Sequence, residues 1–110
     1  MRHFVIDQLS REEREAVTAY LQKNAQPGPI NDLFWLPLPE ELLNSEQNEH
    51  ARCGPFYLAV EIGEDSATFE LLVRSQSTLH CSCIAYTTST QRDYLLHFID
   101  AMIDQLHLLA

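Results

Sequence analysis

The side chains best suited to chemistry in this 110-residue chain lie in two short segments, His50-x-x-Cys53 and His80-Cys81-x-Cys83. Thiolates and imidazoles are the ligands zinc takes in structural sites, four at a time, with Zn–S distances of about 2.3 Å. His50, Cys53, Cys81 and Cys83 would complete such a set if the two segments met. The local pattern argues the other way. Cys81 and Cys83 alternate in phase with Leu79 and Ala85 in what reads as a strand. Strand residues two apart sit roughly 6.6 Å from each other at Cα, whereas two sulfurs on one zinc lie about 3.8 Å apart. The same alternation puts both thiols on an apolar face, where free cysteine packs as a small hydrophobe. The expectation is therefore core cysteines and no cofactor, with zinc held by His50, Cys53, Cys81 and Cys83 as the alternative.

Catalytic chemistry finds less support. His50 and Cys53, three residues apart, could pair in a helical turn, but neither an oxyanion donor nor an orienting residue accompanies them. Asp93, His97, Asp100, Asp104 and His107 recur along one stripe of the last helical segment, opposite its apolar stripe, and read as a solvated face. Glu61, Glu70 and Arg74 read as surface charges on the outer face of a sheet, where cross-strand pairing accounts for them. The three glycines, at 28, 54 and 63, form no phosphate-binding loop. No enzymatic activity is expected.

Sixteen acidic against seven basic residues give a net charge of -9. That balance opposes binding to nucleic-acid phosphates, which depends on Lys and Arg, and to anionic membrane surfaces. The longest apolar run, Phe56 to Val60, is far short of the about 20 residues of a membrane span. Three cysteines, an odd and low count, are no disulfide framework. With no apolar stretch at the start long enough for a secretory signal, the chain is expected to be cytoplasmic.

The elements that must position these residues follow from periodicity. Ser10-x-x-Glu13 is a capping box, and Ala16, Val17, Tyr20 and Leu21 share one face of a helix over about 11–24. Gln26-Pro27-Gly28-Pro29 ends it. An irregular linker with a short helix fills 25–53. Within it, Leu33–Leu36 suits an additional strand that Pro37 and Pro39 confine to an edge, and the short apolar-rich stretch of residues 2–7 reads either as a further strand or as an extended lead-in. Period-two alternation then predicts strands over about 55–62, 67–74 and 79–86, joined by polar turns. Thr88-x-x-Gln91 repeats the capping-box pattern and opens an amphipathic helix over about 90–109.

The expected fold is a single α+β domain, a three-stranded antiparallel meander packed on one face by the N- and C-terminal helices. The helix–three strands–helix order resembles the topology of double-stranded-RNA-binding domains, without the basic residues such domains set against phosphates. On the outer face of the meander, Tyr57, Leu72, Ile84 and Tyr86 would form an apolar patch, and such patches mark interfaces. Phe34, Trp35 and Leu36 of the linker are the alternative cover for it. The function read from the sequence is a non-enzymatic protein-interaction module, a homodimer through this face or the last helix, with a small zinc-binding protein as the alternative.

Overall fold

Capping chemistry starts each α-helix in the computed structural model, which describes residues 1–109. In α1 (Arg11–Asn24) the Ser10 hydroxyl accepts the Glu13 backbone N–H at 3.1 Å, and the Glu13 carboxylate accepts the Ser10 N–H at 3.0 Å. Asn44 and Gln47 repeat the exchange at α2 (Ser45–Glu49), and Thr88 and Gln91 at α3 (Ser89–Leu106). Each box satisfies donors that a helix start leaves without partners. α3 ends where His107 turns left-handed, at φ 54°, and the Leu108 N–H reaches back to the Ile103 carbonyl at 3.1 Å.

The strands are β1 (His3–Ile6), β2 (Gln26–Pro27), β3 (Leu33–Pro37), β4 (Phe56–Ile62), β5 (Ala67–Ser75) and β6 (Ala85–Tyr86). They form one antiparallel sheet in the order β1-β5-β4-β3-β2, with β6 also paired to β5. The class is α+β, but the three-stranded meander understates the sheet. The N-terminal segment adds a strand beside β5, in the register His3 to Glu70 through Ile6 to Ala67. β3 pairs along β4 from Leu33–Glu61 to Pro37–Tyr57. β2 covers β3 only at Phe34 and Trp35, so Pro37, which has no N–H to donate, faces no strand on that side.

The expected strand over 79–86 shrinks to Ala85–Tyr86. Its first half is drawn into turns by nearby hydroxyls. The Ser75 hydroxyl accepts the N–H groups of Ser77 and Thr78, and the Thr78 hydroxyl accepts that of His80. Such local bonds offer the backbone an alternative to a ladder. Leu79, assigned to the apolar face by alternation, is 81% exposed. A second irregularity lies in β5. Between the Leu58–Val73 and Val60–Phe69 pairs, three residues, Glu70 to Leu72, stand against Ala59 alone. Two residues added to the strand preserve the side-chain alternation, so Phe69 and Val73 both stay in the core.

The inner face of the sheet, with Phe34, Leu36, Leu58, Val60, Phe69 and Val73, packs with Val17 and Leu21 of α1 and Leu95, Ile99 and Met102 of α3. Tyr20 meets Phe98 edge to face between the two helices, at 5.8 Å. Each fully buried side chain of this kind contributes about 1.5–3 kcal/mol. Among the described residues, no helix is long and apolar enough to cross a membrane.

Candidate metal centre

His50 is the C-terminal cap of α2, its N–H bonded to the Glu46 and Gln47 carbonyls at 3.0 and 3.2 Å. One 3₁₀ turn, Ala51–Cys53, follows, closed by the Cys53 N–H on the His50 carbonyl at 2.8 Å. This tight turn places His50 and Cys53 on the same side. The segment is tied to the end of β5 because the Ser75 hydroxyl donates to the Cys53 carbonyl and the Ser77 hydroxyl to that of Gly54. Cys81 and Cys83 belong to a turn closed by the Ile84 N–H on the Cys81 carbonyl at 3.1 Å.

The two segments meet. One ligand atom from each of His50, Cys53, Cys81 and Cys83 lies within 4.8 Å of all the others. His50 Nδ1 is 3.0 Å from Cys81 Sγ, and the Cys53 and Cys81 sulfurs are 3.7 Å apart. Tetrahedral zinc requires about 3.8 Å between sulfurs and about 3.6 Å between nitrogen and sulfur. The sulfur pair is therefore already at its bound spacing, and the widest separation has to close by about 1 Å. The objection raised by strand geometry falls with the strand itself. In a turn, residues two apart can aim at a common point.

The expectation that Cys81 and Cys83 pack together as core residues is corrected in part. Cys83 is fully buried and belongs to the core cluster, whereas Cys81 is half-buried at its margin. Their thiols differ accordingly. That of Cys81 is lowered to about 6, first by the hydrogen bond from the Cys83 side chain, then by the Cys83 backbone N–H, with Cys53 and His50 adding to it. The backbone N–H lies 3.4 Å from the sulfur. That of Cys83 is pushed up to about 12, chiefly by burial and then by the neighbouring thiols. A bound cation overrides this order, since a coordinating thiol is deprotonated outright.

The other singled-out residues lie elsewhere. Tyr57 is buried, stacked on Trp35 with ring centroids 4.4 Å apart. Burial raises its hydroxyl above the ordinary range, with Arg74 opposing. Leu72 is half-buried and pairs in register with Tyr86, whose exposed ring carries the Arg2 guanidinium 4.2 Å above it. Ile84 precedes β6 and packs against the core cluster. Of the linker aromatics, Phe34 turns into the core and Trp35 outward onto Tyr57. Glu70 and Arg74 form a two-bond ion pair, at 2.7 and 3.1 Å. Asp93, His97, Asp100, Asp104 and His107 are all exposed, and none joins a metal-type cluster among the described residues.

Two residues beside the site were not anticipated as part of it, Gln47 and Gln91, both fully buried. The signal for Gln47 was present in the sequence as Asn44-x-x-Gln47, the same box that marks the other two helices. No protein-family model, curated protein or solved structure matches the chain, so its chemistry is argued from this geometry.

Proposed function

We propose that this chain is a small zinc-binding protein whose three thiolates and one imidazole hold a structural metal. The observation that carries the reading is the convergence of four ligand atoms within 4.8 Å, from two segments on either side of the β4–β5 hairpin. Thiolate-rich sites favour zinc and other soft cations over magnesium or calcium, which take oxygen ligands. Four protein ligands fill the tetrahedral shell and leave no position for water or substrate, the pattern of structural rather than catalytic zinc. The role supported is non-enzymatic: the metal clasps the irregular half of the chain to the end of the sheet.

The test is metal content in protein purified without chelator or affinity tag, alongside the count of reactive thiols. The expected result is one equivalent of zinc, with thiols that react only after chelation. Thiols that react freely in the folded protein, with no zinc retained on reconstitution, would exclude the site.

A second reading, a protein-interaction module, is favoured by the outer face of the sheet. The two long helices pack on the opposite face, and this one carries the Trp35–Tyr57 stack, with exposed Val5 and Tyr86 on the same side by register. Aromatic residues and Arg are enriched at interfaces. The partner proposed is a second copy of the chain. Sedimentation at tens of micromolar tests it: a dimer that Tyr86→Glu dissociates supports the reading, and a monomer rejects it.

A further inference from the structure

Beside the ligands lies a buried polar network that the proposed metal role has not used. The Gln47 side chain has no exposed surface, yet each of its polar atoms is engaged. Its Nε2 donates to the Cys83 carbonyl at 3.1 Å. Its Oε1 accepts the Asn44 N–H and the Nε2 of Gln91, both at 3.0 Å. Gln91 Nε2 donates also to the Leu42 carbonyl at 2.9 Å, and its Oε1 accepts the Thr88 N–H at 2.9 Å. An amide in this position is held in one orientation, because any other would leave a buried donor or acceptor unpaired.

The geometry bears on the metal. α2 is a short rigid rod with Gln47 near its middle and His50 as its cap. Gln47 grips the backbone of the turn that carries Cys81 and Cys83, while His50 on the same rod faces Cys81 Sγ. The two ligand segments are thus joined twice, through the ligand atoms and through one amide. Outer groups of this kind orient metal ligands and typically contribute 10–100-fold to affinity.

Resting on the zinc reading, we propose that Gln47 is a positioning residue for the metal centre, holding the Cys81–Cys83 turn at the distance from α2 that tetrahedral coordination requires. Gln91 and Asn44 aim it. Gln47 itself bonds the Cys83 backbone carbonyl, not a ligand atom.

The experiment compares the unsubstituted protein with Gln47→Met and Gln91→Met. Zinc affinity is read by competition with a chromophoric chelator, and ligand geometry by the visible absorption of the cobalt(II) form. Gln47→Met should weaken zinc roughly 10–100-fold and move the cobalt bands. Gln91→Met keeps the Gln47 bond to Cys83 but removes one of the two groups that aim Gln47, so it should move the bands less than Gln47→Met does. Equal affinity and an unmoved spectrum in Gln47→Met overturn the proposal. So does an equal displacement of the bands in both variants, which would be general loosening. If Gln47→Met does not fold, hydrogen exchange of the Gln47 side-chain amide in the unsubstituted protein decides. Slow exchange with zinc and fast exchange after chelation support positioning, and identical rates overturn it. Failure of the unsubstituted protein to bind zinc or cobalt removes the metal reading and this inference together. Normal binding that is indifferent to Gln47 removes only the inference.

Discussion

The helix–sheet core and the region around the candidate metal ligands order their backbone with different materials. In the core, residues such as Phe69, Leu58, Val17 and Leu95 have no exposed surface and lie within long elements. Ladder hydrogen bonds and apolar burial hold them together. Residues 40–55 and 76–87 contain one five-residue helix, two 3₁₀ turns and a two-residue strand. There, beside a few backbone bonds such as the Gln76 N–H on the Pro55 carbonyl, many of the links are side chain to backbone: Ser75 on Cys53, Ser77 on Gly54, Gln47 on Cys83 and Gln91 on Leu42. Each such bond contributes about 0.5–1.5 kcal/mol net, far less than burial of several large side chains. A region assembled this way is where a metal bond makes the largest difference.

The comparison can be broken from either side. Phe69→Ala should cost the most, about 3–5 kcal/mol of global stability. Denaturant melts should show one transition moving to lower midpoint, with the molecules still folded retaining their zinc. Cys83→Ser should act on the other half. A structural zinc site is worth about 10–16 kcal/mol over four ligands. One ligand lost is then about 3 kcal/mol, roughly 100-fold in affinity. Zinc competition reads that loss. Hydrogen exchange should speed up across 44–55 and 76–87 while β4 and β5 stay protected. Uniform acceleration throughout the chain would mean that the two regions are one cooperative unit.

Acid should sharpen the distinction. Burial holds the Cys83 proton up to about 12 in the metal-free protein, so zinc binding near neutrality must displace it. Lower pH favours the protonated thiol. Apparent zinc affinity should therefore fall with falling pH, roughly tenfold per unit for each proton displaced, as a metallochromic indicator can follow. Affinity that stayed constant between neutral pH and mildly acidic pH would contradict this. The smallest effect should come from Ser10→Ala, which removes a cap worth about 1 kcal/mol. It lies in the core half, so the melt should shift while the zinc affinity does not.

What was legible in the sequence divides along the same line. Ser10 and Glu13 announced α1, and Phe56 to Ile62 followed by Ala67 to Val73 announced a hairpin, because those signals are local and repeated. The alternation of Leu79, Cys81, Cys83 and Ala85 looked equivalent. It was coincidental, since the Thr78 hydroxyl holds the His80 amide, the Cys81 carbonyl holds that of Ile84, and Leu79 is left in solvent. β1 and β3 pair across long stretches of chain, and four- or five-residue runs carry no record of their partners. All four candidate ligands were visible by type. Their meeting depended on a turn at 81–84 that alternation had hidden, so the core reading was preferred.

The borders of the sheet set a limit on how copies of this protein can associate. On one side β2 is two residues long, contains Pro27 and runs into Gly28-Pro29. The opposite side is divided between β1 and β6, which take separate stretches of β5, neither exceeding four residues. A long, flat row of free amides is the template from which sheets propagate into fibrils, and short, proline-bearing or interrupted borders deny it. Growth by strand addition is thereby blocked at both ends. Association of copies through side chains on a face, rather than through a sheet border, would then be sensitive to single charge substitutions.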